Sequence, residues 1–269
     1  MGIEVEGVSK RFMRTGEGGI AEPFVALNDF TLSIRDREFV SFIGPSGCGK
    51  TTILRIIDGL TPPDSGRVEI DGKPVTGPGP ERAVVFQNFA LMPWATVLQN
   101  VTFPLEIKGV PRHDREATAR RCIELVGLKG FEHVYPHALS GGMQQRAGLA
   151  RALTVEPKIL LMDEPFGAVD AQTRHLLQEE LINIWEKGHQ TVVFVTHSME
   201  EAVLLSDRVV IMEPSPGRVA EVLDVPIPRP RHADAVRRSP EFVDLSNYVW
   251  ERLREIIIEC RNRPGCAAG

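Results

Sequence analysis

The chain has 269 residues, of which 42 % are hydrophobic and 25 % charged, which is ordinary for a globular protein of one large domain or two coupled ones. The net charge of −5 and the pI near 5.9 argue against a protein whose main ligand is nucleic acid, because phosphate binding goes with a basic surplus. No apolar run approaches the ~18 residues of a membrane helix, and residues 1–14 lack the apolar block of a signal peptide, so we expect a cytosolic protein.

The four cysteines have neither metal-ligand nor disulfide-framework spacing, which fits a reducing compartment.

Short, β-branched apolar runs alternate with helical segments along the chain. The runs that predict buried parallel strands are Phe39–Ile43, Ala83–Phe86, Ile159–Met162, Thr191–Thr196 and Arg208–Met212. The helical segments between them are Thr51–Gly59, Gln172–Lys187 and Met199–Ser206. This alternation predicts a doubly wound α/β domain.

Strand signals vanish between Phe89 and Pro157, where His113–Val126 and Gly141–Leu153 have helical patterns. We therefore predict an α/β core of residues 1–87 and 158–225 with a helical subdomain of residues 88–157 inserted in it. After Pro226 the prolines predict extended backbone, and Phe242–Glu259 predicts one amphipathic helix in a C-terminal extension of residues 226–269.

A glycine-rich segment after the first predicted strand matches the phosphate-loop pattern G-x-x-x-x-G-K-[ST]. It consists of Gly44, Pro45, Ser46, Gly47, Cys48, Gly49, Lys50 and Thr51, and Thr52 continues it into the next helix. The glycines let successive N–H groups face one anion, and the helix adds its positive dipole end. Lys50 supplies a mobile charge for terminal phosphates, and the Thr51 hydroxyl suits Mg²⁺. The alternative is a plain glycine turn.

Carboxylates follow the predicted strand Ile159–Met162. Asp163 at the strand end is costly to bury without a cation, so we expect it to hold Mg²⁺ near the phosphate loop. Neighbouring side chains alternate, so Glu164 points the other way and is a candidate base for an attacking water. The alternative is an Asp-Glu-Pro sequence that merely ends a strand.

Two further polar residues end predicted strands. His197 follows Thr191–Thr196, and Gln87 follows Ala83–Phe86. Open α/β sheets bind ligands at the carboxyl ends of their strands. We therefore expect His197 to contact the γ-phosphate and Gln87 to reach the Mg²⁺ or the water, although a lone histidine at a strand end is more often structural.

The segment Leu139-Ser-Gly-Gly-Met-Gln-Gln-Arg146 predicts a second helix start suited to an anion. Ser140 stands at the N-cap position, and the two glycines after it leave the first N–H groups uncovered. The chain has one phosphate loop, so a spare anion site indicates the nucleotide of a second copy in a symmetric head-to-tail dimer. A plain N-cap is the alternative.

These motifs together resemble the ATP-binding-cassette ATPase family over roughly Ile3 to Val225. The resemblance implies a P-loop (RecA-like) core with a mostly parallel sheet, an antiparallel β part and the inserted helical subdomain. The residues that it implies for contact with the ATP of the opposite subunit are Ser140, Gly141, Gly142 and Gln144. It also implies that Asp170 couples the two sites at the dimer interface, that Glu164 is the general base, and that His197 holds water and phosphate in line.

Phe12 matches the family's adenine-stacking aromatic, where most members have tyrosine, and a core phenylalanine is the alternative. Residues 14–23 form a longer loop than most members have.

The segment Phe89-Ala-Leu-Met-Pro-Trp94 is predicted to expose large apolar groups in a loop, which indicates a partner surface. In the family this region forms the groove for a short helix of the membrane subunit, which implies that Leu91, Pro93 and Trp94 line it. Core packing is the alternative for Leu91 and Trp94.

The chain looks most like the subgroup that imports nitrate, sulfonates and taurine. The segments that carry this resemblance are Phe166–Arg174, Val195–Ala202 and Pro216–Arg218. The resemblance thus implies a MgATP-dependent ATPase that energises uptake of a small anionic solute. Its partners would be a second copy, membrane permease subunits and, indirectly, a substrate-binding protein, which would place it on the inner face of the cell membrane.

Two alternatives remain. A non-transport ABC ATPase of DNA repair or translation usually carries two cassettes or long coiled-coil insertions. A nucleotide-binding regulator without turnover does not need Glu164 and His197.

Overall fold

The computed structural model describes residues 2–15, 21–87, 89–167, 169–188 and 190–262. Its strands are β1 (Ile3–Thr15), β2 (Ala21–Ile34), β3 (Phe39–Ile43), β4 (Ser65–Ile70), β5 (Lys73–Pro74), β6 (Arg82–Val85), β7 (Ile159–Asp163), β8 (Thr191–Val195), β9 (Arg208–Glu213) and β10 (Arg218–Asp224). Its helices are α1 (Lys50–Asp58), α2 (Val97–Ile107), α3 (Arg112–Leu125), α4 (Gly141–Leu153), α5 (Ala171–Gly188), α6 (Met199–Leu205), α7 (Ala233–Arg237) and α8 (Pro240–Asn262). Within these ranges, none of the helices has the length and apolar character needed to span a bilayer.

The chain divides into two compact units. The first unit joins Met1–Gly79 to Thr191–Gly269, and the second is Pro80–Gln190. The second unit contains the predicted helical segment 88–157 and also takes in β6, β7 and α5.

In the first unit, β3 lies between two parallel neighbours, β8 and β9, and β10 pairs antiparallel with β9. Every residue of β3 and of β8 is buried. Continuous apolar runs form such strands because parallel strands are covered on both faces, so the five strands expected from these runs all occur.

A second, antiparallel sheet in the same unit has the strand order β2-β1-β4-β5. Its strands β1 and β2 are long, and their paired residues run from Ile3 opposite Ile34 to Thr15 opposite Ala21. The prediction of a long loop over residues 14–23 is therefore wrong at both ends, because cross-strand pairing extends the strands into it; residues 16–20 lie outside the described ranges.

In the second unit, β6 and β7 pair in parallel, with Val85 opposite Met162. Three helices, α2, α3 and α4, pack on one another. A capping box starts α2, in which the Thr96 hydroxyl accepts from the Gln99 backbone and the Gln99 side chain accepts from the Thr96 backbone.

In the described part of the C-terminal extension, residues 226–262, there are two helices where the sequence predicts one. The short helix α7 precedes α8, and a hydrogen bond from the Ser239 N–H to the Val236 carbonyl closes it. Pro240 then begins α8, since a proline at the first turn lacks an N–H that the helix would leave unpaired. Cys260 in α8 is disulfide-bonded, which the cysteine spacing does not predict, while Cys48 and Cys122 are free thiols.

Candidate nucleotide-binding site

The phosphate loop connects β3 to α1 as the sequence predicts. Gly47 and Gly49 have φ of 79° and 92°, a left-handed conformation that glycine adopts without strain. Gly49 is the N-cap of α1 and has no side chain to cap the first turn. The backbone N–H groups of that turn can therefore face an anion. Lys50 is only 7 % exposed, and its Nζ donates to the carbonyl oxygens of Gly44 (2.7 Å) and Pro45 (3.1 Å). The loop therefore curls around its own lysine.

The loop is exposed at its tip and buried at its base. Ser46 and Gly47 face solvent, whereas Cys48 is fully buried. Burial raises the pKa of the Cys48 thiol although Lys50 opposes this, so the thiol is neutral at physiological pH. Thr51 and Thr52 lie half-buried in the first turn of α1.

Close packing beneath the loop depends on residues that the sequence motif does not contain. A Cβ on Gly49 would lie 2.6 Å from Leu27 Cδ2, and a Cβ on Gly217 would lie 2.1 Å from the Cys48 carbonyl oxygen. The Gly217 N–H donates to the Ala26 carbonyl at 3.1 Å, and the Gly217 carbonyl accepts from the Asn28 N–H at 3.1 Å. Sequence reasoning missed this support, for which the glycine between β9 and β10 is the only local signal.

Phe12 lies in β1 and is 42 % exposed. Two residues earlier, Lys10 is opposite Leu27, the residue that packs against Gly49. The Lys10 Nζ lies 5.7 Å from the centroid of the Phe12 ring. The exposure removes the core-phenylalanine alternative, while adenine stacking stays a prediction.

His197 is exposed two residues beyond the end of β8. The register of β3 and β8 places Phe42 opposite Val195, and the Thr196 N–H donates to the Phe42 carbonyl at 3.1 Å. Gly44 lies two residues beyond Phe42, just as His197 lies two residues beyond Val195. His197 and the start of the phosphate loop therefore leave the sheet at the same end.

In the second unit, the register of β6 and β7 brings Gln87 and Glu164 together. Each lies two residues beyond the pair Val85–Met162, and Gln87 Nε2 donates to Glu164 Oε2 at 3.2 Å. Glu164 has φ of 46°, so the backbone turns sharply after the strand and leaves its carboxylate half-exposed. Asp163, the last residue of β7, is 8 % exposed.

The Ser140 turn has the form that the sequence predicts. Ser140 is the exposed N-cap of α4, and its Oγ accepts from the Met143 N–H at 3.3 Å. The Gln144 side chain donates to the carbonyls of Pro136 (3.0 Å) and Leu139 (3.3 Å), so it braces the turn from behind. Gly142 lies directly against the Thr173 methyl group of α5, so a side chain at position 142 would have to displace that methyl group.

Asp170 caps the start of α5. Its Oδ1 accepts from the N–H groups of Thr173 (3.0 Å) and Gln172 (3.1 Å). These hydrogen bonds lower the pKa of the carboxyl, and the bond from Thr173 has the largest effect. Because Gly142 packs on Thr173, the Ser140 turn and the Asp170 cap lie on adjoining helix ends. Residue 168 of the motif Gly167–Asp170 lies outside the described ranges.

The predicted partner loop is exposed at Pro93 and Trp94, whereas Phe89, which was expected to be exposed as well, is buried. Trp94 is 76 % exposed, so the core-packing alternative is wrong for this residue, and Pro93 is exposed as well. Leu91 is half-buried. Asn100 is fully buried and holds the loop: its Nδ2 donates to the carbonyls of Met92, Ala95 and Thr96 at 3.0–3.2 Å, and its Oδ1 accepts from the Met92 N–H.

Among the described residues, no group of three histidine, cysteine or acidic side chains could hold a metal ion by itself. The predicted magnesium ligands are a threonine, a glutamine and one aspartate. Such a set fits a metal that keeps waters and takes phosphate oxygens as its remaining ligands.

Comparison with known proteins gives consistent matches. A family model described as ABC transporter matches residues 27–167. The chain is 49 % identical to an uncharacterized ABC transporter ATP-binding protein of Methanocaldococcus jannaschii, over 96 % of this chain and 93 % of that protein. It is 46 % identical to a nitrate import ATP-binding protein of Synechococcus elongatus (83 % and 82 % covered) and 44 % identical to a taurine import ATP-binding protein of Pseudomonas entomophila (93 % and 96 % covered).

Among solved structures, the chain is similar to a dimeric ATP-binding cassette in a post-hydrolysis state bound to ADP and Pi. The TM-score is 0.72 at 33 % identity, and the match covers 83 % of this chain and 98 % of that one.

Proposed function

We propose, from the premise that this chain belongs to the ABC transporter family, that it is the ATP-binding and ATP-hydrolysing subunit of a membrane importer. The observation that carries the proposal is the loop between β3 and α1. There the Lys50 amine is held by loop carbonyls beside a helix start that no side chain of the described residues caps. Backbone N–H groups, a helix dipole and one lysine are the recurring means of binding nucleotide phosphates.

The reaction is hydrolysis of ATP to ADP and phosphate. Glu164 is the general base, which takes a proton from the water that attacks the γ-phosphorus as the bond to the β,γ-bridging oxygen breaks. Its bond to Gln87 supports this role, because it fixes the direction of the carboxylate. His197 steadies the γ-phosphate and the water. Thr51, Gln87 and Asp163 would hold Mg²⁺, which neutralises phosphate charge.

The second nucleotide contact comes from a second copy of the chain. The exposed Ser140 turn, followed by Gly141 without a side chain, offers a helix N-terminus and a hydroxyl to the ATP of the twin. Gly142 packs this turn against Thr173, and Gln144 braces it from behind. Asp170, next to it, would couple the two sites. The similarity to a solved dimeric cassette supports this arrangement.

The cargo is a small anionic solute. Two relatives are named as import ATP-binding proteins for nitrate and for taurine, and nitrate is an anion while taurine carries a sulfonate. ATP binding closes the dimer and hydrolysis reopens it, and a permease converts this motion into uptake. We place the subunit on the inner face of the cell membrane, attached to that permease, with a substrate-binding protein as an indirect partner.

The change Glu164→Gln tests the hydrolytic role. Removing a general base costs about 10²–10⁴-fold in rate, so turnover should fall by that factor while ATP binding persists and an ATP-bound dimer accumulates. Glu241→Gln is the matched control, since Glu241 is exposed in the first turn of α8. Turnover of Glu164→Gln at the rate of this control would remove Glu164 from its role.

The change Trp94→Ala tests the partner loop. The free subunit should keep its ATPase activity, whereas assembly with the permease should weaken, because a large exposed aromatic group is lost from the contact. Trp250→Ala, which removes a 48 % exposed tryptophan from α8, is the control. Equal recovery of the permease with both variants would reject the assignment.

A further inference from the structure

An arginine of helix α4 holds the loop that carries Trp94. Arg151 lies in the last turn of α4, where its Nη1 donates to the Ala90 carbonyl at 2.6 Å and its Nη2 to the Phe89 carbonyl at 2.8 Å. The fork of the guanidinium thus bridges two successive carbonyl groups, a geometry that lysine cannot reproduce with its point charge.

The environment of this arginine is unusual. In the described parts of the chain, its guanidinium has these two carbonyl oxygens as partners and no carboxylate within ion-pair distance. Partial burial lowers its pKa below the ordinary arginine range. A half-buried charge without a counter-charge is a poor way to gain stability. A role in holding the loop explains its position better than stability does.

The loop that it holds is strained. Phe89 and Ala90 have φ of 58° and 45°, in the left-handed region that side chains with a Cβ rarely adopt. Such a conformation persists only where its surroundings impose it. Helix α4 contacts the loop at two points on one face, because Gly148, three residues before Arg151, also packs against Phe89, where a Cβ would be 3.5 Å from the Phe89 carbonyl oxygen.

The other end of the loop is fixed by Asn100, whose four hydrogen bonds hold Met92 to Thr96. Trp94 therefore projects from backbone that is anchored on both sides. The Asn100 anchor belongs to α2, whereas the Arg151 anchor belongs to the helix that begins at Ser140. A displacement of α4 would act on the loop directly through the Arg151 anchor.

We propose that Arg151 is a positioning residue that transmits the nucleotide state at the Ser140 end of α4 to the partner-facing loop around Trp94. Arg151 lies 11 positions after Ser140 on one continuous helix, about 16 Å along its axis, within a single compact unit. Binding of the twin's phosphate at one end displaces the helix, and the Arg151 fork moves Phe89 and Ala90 with it. This inference rests on the proposed function of the Ser140 turn.

Tryptophan fluorescence of the full chain can test the inference without a permease. The chain has three tryptophans. Trp185 is buried and donates its Nε1 to the Gln190 carbonyl at 2.7 Å, so Trp250→Phe leaves Trp94 as the main exposed indole. In Glu164→Gln/Trp250→Phe protein, acrylamide quenching is measured without nucleotide and with saturating MgATP, and ATP binding and dimer formation are followed in parallel. A further Trp94→Phe change identifies the Trp94 signal.

With Arg151 present, MgATP should change the quenching of Trp94. The Arg151→Met variant should still bind ATP and form the dimer but lose this response. The Arg151→Lys variant should show a reduced response, and it provides the test if the methionine variant does not fold. Arg120→Met is the control, since Arg120 is exposed on α3, and it should keep the full response.

Two results would overturn the inference. If the Arg151 variants form the ATP dimer and Trp94 responds as in the parent, Arg151 transmits nothing and the proposed function still stands. If the parent itself forms no dimer with ATP, the proposed function fails and the inference fails with it.

Discussion

Gly217 supports the phosphate loop from the turn between β9 and β10, so the change Gly217→Ala should damage the site from outside its sequence motif. The added methyl group would lie 2.1 Å from the Cys48 carbonyl oxygen and 2.7 Å from the Ala26 carbonyl oxygen, and real Cβ contacts essentially never fall below 3.0 Å. Both obstacles are backbone atoms, which cannot rotate away. The turn and the loop must therefore separate.

The required separation is about 1 Å, and a misplacement of that size in a catalytic site costs about 10²-fold in rate, or about 2.7 kcal/mol of transition-state stabilisation. Overpacking should also lower the free energy of unfolding by about 1–3 kcal/mol. We expect kcat/KM for ATP to fall by about two orders of magnitude. The loss should exceed what the fall in stability explains at a temperature where the variant is folded.

The assay is steady-state ATP hydrolysis with a parallel thermal melt. Gly77→Ala is the matched control, because it adds the same methyl group in the same compact unit where no atom lies within 4 Å. If Gly217→Ala hydrolyses ATP at the rate of Gly77→Ala, the phosphate loop does not depend on this contact and the reasoning is refuted.

Further changes test separate parts of the account. Ser140→Arg should block ATP-induced dimers in size-exclusion chromatography while monomers still bind ATP; unchanged dimers would contradict the shared site. Asn100→Ala should lower the free energy of unfolding by about 2–4 kcal/mol, because buried partners lose their hydrogen bonds, whereas Asn247→Ala on the exposed face of α8 should not. Cys48, whose pKa is raised by burial, should react with iodoacetamide at pH 8 far more slowly in folded than in unfolded protein; equal rates would contradict its burial.

The elements that are specified by residues close together in the sequence could be predicted from it. The strand β3, the phosphate loop and α1 follow one another without interruption, and each has its own signal: an apolar run, glycines at turning points and a helix start. The proximity of Gln87 and Glu164 could also be predicted, because both residues follow strands whose carboxyl ends meet at the same edge of a sheet.

Residues that act through tertiary contact could not be found this way. Gly217 approaches the phosphate loop from the turn between β9 and β10, and Leu27 approaches it from β2. Nothing near either residue in the sequence marks it as support for a nucleotide. Arg151 looks like an ordinary helix surface charge until the loop it holds is seen. Such roles depend on which surfaces the fold brings into contact.

Secondary structure was missed where local signals conflict. Helix α2 contains Pro104, which argues against a helix, and its apolar run lies in a segment that was predicted only as generally helical. The long strands β1 and β2 alternate polar and apolar residues because one face of an antiparallel sheet can meet solvent, so they lack the continuous runs that mark β3 and β8.

The most direct test of the central claim is a crystal structure of the Glu164→Gln protein with MgATP. The account predicts a dimer in which each γ-phosphate lies within hydrogen-bond distance, about 3 Å, of Lys50 from one protomer and of the Ser140 hydroxyl from its twin. An ATP-loaded structure in which the Ser140 turn contacts no nucleotide would contradict it.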